Sequence, residues 1–305
     1  MSEARRCPIR LRAAPDCLNQ RAMRILVTGA AGLVGSAIAQ RLAADHDVIG
    51  IDILPGAKVD IVGDCRSVTE WGRGIGRIDA VVHSAALHAP HVGHRSDTAF
   101  REINVDATRG LIDFALDRGA EHFIYTSTTS LYGHALEARN QAVWVDESLQ
   151  PQPRDIYDET KLAAEALVAS AGGSMTTTIL RMSRCFREPA AAMAWYRLYR
   201  GIDRRDVAQA HALALGRSGA PAIYVISGNS PFQPEDCSEL LSAAPNVIAK
   251  RCPDLIGPAQ SAGWPVPQSI DRVYDSRLAV QALGFSPRFG MAACLAGDWD
   301  PAPAG

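Results

Sequence analysis

Residues 28–35 of this 305-residue chain read TGAAGLVG, directly after the apolar run Ile25-Leu26-Val27 and directly before Ser36-Ala37-Ile38-Ala39. A β-branched apolar run, spaced glycines and a small-residue helical pattern together predict a strand, a tight turn and a helix. The three glycines divide the work of that junction. Gly29 permits the turn, Gly32 lets a pyrophosphate approach the backbone, and Gly35 lets helix and strand pack closely. A helix starting near Leu33 presents unpaired N–H groups to an anion, so Ala31 and Leu33 join the expected contacts. The spacing is one residue wider at its start than G-x-G-x-x-G, and a plain structural turn would use the same glycines.

Asp52 strengthens the nucleotide reading. It ends the second expected strand about twenty residues on, where a carboxylate accepts from ribose hydroxyls and repels a 2′-phosphate. No Arg follows it directly, so the expected cofactor is NAD rather than NADP. The competing reading is an Asp that only caps a turn.

Short β-branched runs at 24–28, 47–52, 60–62, 80–83, 122–127, 177–181 and 222–227 alternate with helical patterns at 33–44, 97–118, 156–170 and 201–215. Such alternation predicts an α/β fold, a doubly wound parallel Rossmann sheet with a smaller C-terminal substrate lobe. The expected division is a disordered extension over 1–22, a nucleotide-binding domain over 23–183 completed by about 201–227, a substrate lobe from 184–200 and 228–297, and a tail over 298–305. Arginines and two prolines without periodicity mark the extension. Met23 follows it, so a start of translation there and a basic targeting arm both stay open.

With 47% apolar and 21% charged residues and a formal charge of −2, nothing points to nucleic acid. The seven cysteines are scattered singly, which suggests neither a disulfide framework nor a zinc site. No apolar run reaches about 18 residues and no signal-peptide pattern opens the chain, so the expectation is a cytoplasmic protein without a membrane partner.

Tyr157 and Lys161 stand four apart in YDETK, on one face of an expected helix. The chain has only three lysines, at 58, 161 and 250, so a chance Y-x-x-x-K occurs about 0.07 times in such a composition. A phenol beside an ammonium can exchange a substrate hydroxyl's proton while hydride leaves the same carbon, and Lys161 is expected to lower the Tyr157 pKa. Upstream, YTSTTSLYG supplies hydroxyls at a strand end. Thr128 is the candidate donor to the reacting oxygen and Ser127 its rival; turn formation is the plainer use of both.

TGAAGLVG, Asp52, GDCRS, TSTTSLYG and YDETK, in this order, resemble the extended short-chain dehydrogenase/reductases, the NAD-dependent epimerase/dehydratase family. The resemblance covers residues 24–215 well and 216–297 loosely. It implies Gly29, Gly32 and Gly35 at the pyrophosphate, Asp52 at the ribose and Asp64 near the adenine. Thr128, Tyr157 and Lys161 become the catalytic triad, Lys161 also reaching the nicotinamide ribose, with Ser127 and Tyr157 as further expected cofactor contacts. Asn104 takes a structural place, and a homodimer forms through helices at 97–118 and 156–170.

Departures matter as much. Where members show an N-x-A-G-like turn, this chain has HSAALHAP, whose small Ala85 and Ala86 leave room for the cofactor. His88, His91 and His94 follow at intervals of three. They are expected to line the substrate mouth, with His88 nearest, and the expected metal is none, although a metal triad is the alternative. Arg184 stands where the family often holds a sugar-binding Asn, and RMSRCFREP is similar to uronate dehydrogenases. Arg184 or Arg272 could grip a phosphate or carboxylate, or merely form a surface ion pair. Thr129 and Ser130 replace the Asp-Glu pair of the dehydratases. The expected activity is an NAD-dependent sugar or nucleotide-sugar epimerase or oxidoreductase. A free sugar-acid dehydrogenase and a non-catalytic NAD-binding regulator are the alternatives.

Overall fold

The structure, a computed structural model, describes residues 21–299 apart from Ser174 and Pro221. The expected disorder of residues 1–20 and the end of the expected tail lie outside the described residues. The strands are β1 (Arg24–Thr28), β2 (Asp47–Asp52), β3 (Ile61–Val62), β4 (Ala80–His83), β5 (His122–Thr128), β6 (Val143–Val145), β7 (Thr176–Met182), β8 (Ala222–Ile226) and β9 (Arg272–Tyr274). Seven of them form one sheet in the order β3-β2-β1-β4-β5-β7-β8, every pair parallel. The order reverses between β1 and β4, which places a crevice at their C-terminal ends.

Eleven α-helical segments occur among the described residues: α1 (Leu33–Leu42), α2 (Val68–Trp71), α3 (Asp97–Arg101), α4 (Ala107–Asp117), α5 (Ile156–Ser170), α6 (Ala190–Tyr196), α7 (Arg204–Leu215), α8 (Cys237–Arg251), α9 (Pro253–Ser261), α10 (Arg277–Leu283) and α11 (Met291–Leu295). α1 and α7 cover one face, burying Ile38, Leu42, Val207 and Leu215 against Ile25, Val27, Val82 and Ile124. α4 and α5 cover the other, with Leu111, Ile112 and Val168 against Leu26, Val81 and Phe123. Neighbours in β1 thus enter opposite cores, which is why the strand reads as an unbroken apolar run rather than an alternation. No described helix is long and apolar enough to cross a membrane.

The helix expected over 97–118 is interrupted by a π-helical turn at Glu102–Asp106, between α3 and α4. The wider turn carries Asn104, which is buried.

A second, smaller core gathers Trp195, Phe232, Leu240, Val247, Ile248 and Val273 from α6, α8, β9 and neighbouring loops. The expected division is interleaved with it. β6, from within 23–183, pairs with β9, and Ala142 enters the second core. Conversely Ala279 of α10 and Phe285 pack into the nucleotide-domain core. Three-residue strands carry too little periodicity to be read locally. The proline-rich stretch 228–270 is also more helical than its punctuation suggests: α8 kinks at Ala243 (φ −152°, ψ 51°) just before Pro245, and Pro253 opens α9. A proline at a helix start lacks only a donor that would be unused there. The expected tail begins anchored, since Asp298 pairs with Arg205 at 2.6 Å and Trp299 packs against the second core.

Candidate active site

The turn after β1 is built as tightly as its glycines imply. Gly29 has φ +76°, and a Cβ there would lie 2.8 Å from the Ala85 amide nitrogen. A Cβ on Gly35 would lie 2.0 Å from the Gly29 carbonyl oxygen. Gly32 donates its N–H to that same oxygen at 3.0 Å and caps α1 without a side chain. Ala31, Gly32 and Leu33 therefore lead into a helix end that no capping side chain blocks, beside a turn whose Gly29 lies against Ala85. A cradle that Cβ atoms would fill and an uncapped helix N-terminus fit a dinucleotide pyrophosphate.

His83, which the sequence reading passed over, staples this crevice. Its Nδ1 lies 2.7 Å from Thr28 Oγ1 and its Nε2 3.0 Å from Thr108 Oγ1. Thr28 Oγ1 already accepts the Ser84 and Ala85 amides at 3.2 Å, so its proton goes to Nδ1. Thr108 in turn donates to the Asn104 carbonyl at 2.7 Å, leaving its lone pairs for an Nε2–H. The chain of donors makes the imidazole neutral, and burial pushes its pKa down to about 3. Asn104 completes the brace: its side chain accepts from the Leu87 amide at 2.8 Å and donates to the Leu87 carbonyl and to Thr160 of α5.

Asp52 accepts the Ala31 amide at 3.0 Å through one oxygen and the Leu54 amide at 3.0 Å through the other. It therefore stands at the glycine turn and closes its own. Asp64 caps a short 3₁₀ turn and is gripped by Arg66, whose Nη2 lies 2.6 Å away; that bonding holds its carboxyl below the usual range.

Thr128, Tyr157 and Lys161 meet at the end of β5. The Thr128 hydroxyl accepts the Ser130 amide at 3.0 Å and lies beside the Tyr157 phenol. Lys161 donates from Nζ to the Thr126 carbonyl at 2.7 Å and lies 4.0 Å from the centre of the Tyr125 ring. Burial dominates both partners. It pushes Tyr157 up to about 12, against the Thr128 hydrogen bond, and Lys161 down to about 7, against the Glu165 charge. The expected lowering of the phenol by Lys161 is not seen in the chain alone: burial raises Tyr157, and the opposing pull comes from Thr128 rather than from Lys161.

Ser127 turns away from this pair and donates its hydroxyl to Glu165 at 2.5 Å. Glu165 is in turn clamped by Arg181. Neither Glu165 nor Arg181 was singled out from sequence; the signal was Glu165 standing four and eight residues after Lys161 and Tyr157.

His88 and His91 stack edge to face with ring centres 4.4 Å apart, and the His88 amide donates to His91 Nδ1 at 3.0 Å. Burial lowers the His88 pKa. Among the described residues no group of three or more His, Cys, Asp or Glu side chains is arranged to hold a metal ion. Arg184 binds both oxygens of Glu188 and lies over the Phe186 and Tyr196 rings at 4.9 and 5.7 Å. Arg272 pairs with Asp271.

Comparison with known proteins places this geometry in context. The NAD dependent epimerase/dehydratase family matches residues 25–188, more than half of the chain. A 3-beta-hydroxysteroid dehydrogenase of Mycolicibacterium neoaurum is 29% identical over 175 residues, 52% of this chain and 47% of that protein. A UDP-glucose 4-epimerase of Corynebacterium glutamicum is 31% identical over 170 residues, 52% of this chain and 50% of that protein. The chain spans about half the length of these curated relatives. In fold it is similar to a short-chain dehydrogenase/reductase superfamily protein from Agrobacterium tumefaciens with bound NAD (TM-score 0.68, 21% identity, 90% of this chain and 95% of that one). It is likewise similar to MoeE5 in complex with UDP-glucose and NAD (TM-score 0.64, 22% identity, 90% and 96%). The chain belongs to the NAD dependent epimerase/dehydratase family, and its cofactor is NAD.

Proposed function

We propose that the chain is an epimerase or oxidoreductase of a sugar or nucleotide sugar, in which Tyr157 moves the hydroxyl proton as hydride leaves or returns to the carbinol carbon. The observation that carries this reading is the placement of the Tyr157 phenol beside Thr128 at the C-terminal edge of the sheet, with Lys161 one turn along the same helix and anchored to the Thr126 carbonyl at 2.7 Å. NAD supplies the hydride acceptor when it is bound in the glycine turn, alongside Asp52. The chain's own residues handle the proton. Thr128 Oγ1 already accepts the Ser130 amide, so its hydrogen is free for the phenol or the substrate oxygen. At neutral pH Tyr157 keeps its proton while Lys161 sits near its midpoint. The pair can therefore give a proton to a forming alkoxide or receive one from an alcohol.

Of the two curated relatives, the UDP-glucose 4-epimerase supports a nucleotide sugar as the substrate class, whereas the other is a 3-beta-hydroxysteroid dehydrogenase. Net oxidation of a free sugar acid is the second reading: Arg184 is the carboxylate-binding candidate, and an incoming acid would have to compete with Glu188. A regulator that only binds NAD has no use for a lysine buried at a desolvation cost beside a tyrosine. The reading also carries a homodimer joined through residues 97–118, which span α3 and α4, and through α5.

The test uses purified chain with NAD and two panels, free uronic acids and UDP- or GDP-sugars, following NADH absorbance and then analysing the sugars. A changed sugar without net NADH identifies an epimerase; net NADH with a free acid identifies a dehydrogenase. Tyr157→Phe is expected to lower turnover by about 10²–10⁴-fold while leaving NAD affinity within about twofold. Undiminished turnover in that variant overturns the mechanism.

A further inference from the structure

The last three residues of β5 each meet one polar side chain from a single stripe of α5. The Thr126 carbonyl accepts Lys161 Nζ at 2.7 Å, the Ser127 hydroxyl donates to Glu165 at 2.5 Å, and Thr128 lies beside Tyr157. Positions 157, 161 and 165 recur at intervals of four, so they share one helix face. Two of the three belong to the proton-transfer pair. Glu165 does not, yet it is the most elaborately bonded of them.

Its carboxylate is 3% exposed as a residue and is closed from β7 by Arg181. Arg181 Nε reaches the two oxygens at 3.0 and 3.2 Å, and Nη2 reaches one at 2.7 Å. The third nitrogen, Nη1, donates to the Tyr132 hydroxyl at 3.1 Å, which itself donates to the Asp146 carbonyl at 2.9 Å. Arg181 lies one residue before Met182, the register partner of Thr128. One carboxylate therefore joins β5, β7, α5 and the turn that follows Thr128.

A buried ion pair is a poor source of stability, because desolvation offsets its attraction, but a fully bonded one permits a single geometry. We propose that Glu165 is a positioning residue for the Tyr157–Lys161 pair, fixing the register of α5 on β5 through Ser127 and Arg181 and holding a negative charge one turn from the lysine. The inference rests on the reading of Tyr157 and Lys161 given above.

The charged and titratable groups around Lys161 come from every neighbouring element. α5 contributes Tyr157 and Glu165, β5 the Tyr125 ring, β4 His83, the loop after β4 His88, and β7 Arg181 behind Glu165. Burial is the main cause that lowers the pKa of both His83 and His88, and Lys161 adds to it, so a protonated histidine at either place would repel the lysine in return. Glu165 opposes the loss of the lysine's proton that burial promotes. Removing its charge should neutralise Lys161 at lower pH.

With three lysines in the chain, ¹³C,¹⁵N-lysine labelling yields three side-chain signals, and the one lost in Lys161→Arg is Lys161. The full chain loaded with NAD is titrated by NMR as parent, Glu165→Gln and Glu165→Asp. Because Glu165→Gln strands Arg181 and can prevent folding, Glu165→Gln/Arg181→Met is titrated beside it. The Lys161 midpoint is expected to fall by about one pH unit in Glu165→Gln, to fall by less in the double variant, where the Arg181 cation is lost as well, and to stay near the parent's in Glu165→Asp. For whichever sugar the parent converts, kcat is expected to fall about tenfold in the uncharged variants at unchanged NAD affinity. An unmoved Lys161 midpoint, or a moved midpoint with unchanged kcat, overturns the proposal. Loss of the active-site reading is seen separately, as full turnover by Tyr157→Phe, and leaves the lysine titration interpretable.

Discussion

Replacing Gly35 by alanine probes the closest backbone approach in the nucleotide turn. The new Cβ would lie 2.0 Å from the Gly29 carbonyl oxygen and 2.6 Å from its carbon, where real Cβ contacts essentially never fall below 3.0 Å. The obstruction is backbone, so no side chain can rotate away and α1 must withdraw by about 1 Å from a close-packed sheet. Overpacking costs about 1–3 kcal/mol, and at the upper end it lowers the melting temperature of a domain this size by about 6–12 °C. Gly32→Ala is the control. Its Cβ would meet the same oxygen at 3.3 Å, and its φ of −71° is ordinary for any residue. A shift of a few tenths of an ångström accommodates it, so its melting temperature should fall by no more than about 2–4 °C. Its methyl nevertheless stands where the pyrophosphate approaches, so both variants should lose NAD affinity. Melting without NAD by circular dichroism and NAD binding by calorimetry separate the two effects. Gly35→Ala melting within about 2 °C of the parent, or Gly32→Ala melting below Gly35→Ala, would refute the assignment of steric roles.

Asp52→Ala removes the carboxylate that repels a 2′-phosphate and should narrow the preference for NAD over NADP by about tenfold in paired titrations; a parent that already prefers NADP would show the assignment to be wrong. A second expectation concerns acid stability. His83 and His211 are buried, with pKa values pushed down by burial to about 3 and about 4. The unfolded chain, whose histidines titrate near 6.5, therefore binds protons first, so stability is complete above that value and falls as the pH drops toward the folded values. At about pH 5 each histidine should cost about 2 kcal/mol relative to neutral pH. Urea midpoints measured at both pH values should fall on acidification, and less steeply in His211→Gln. A slope unchanged by that substitution contradicts the reading.

The strands and helices of the nucleotide domain were legible because each announces itself within a short window. β1 is an apolar run stopped by glycine, and α5 carries Tyr157, Lys161 and an Asp155 cap that accepts the Asp158 amide at 3.0 Å. Within the candidate site, the same local patterns exposed the glycine turn, Asp52 and the Tyr157–Lys161 spacing. His83 and Arg181 were hidden, since each reads as one more residue of a buried strand. The rotation of Ser127 toward Glu165 could not be read either, because adjacent strand residues alternate faces and a hydroxyl suits both.

By itself, the sequence determined the local chemistry: where the chain turns, which helix face is polar, and that a phenol and an ammonium share it. Those properties depend on neighbours one to four residues away. The tertiary structure alone decided which distant groups meet, such as His83 with Thr28 across 55 residues and β6 with β9. It also decided the charge balance of the site. Burial depends on everything packed around a group, so the core that surrounds Tyr157 and Lys161, rather than the pairing that their spacing suggested, sets the direction of both pKa shifts.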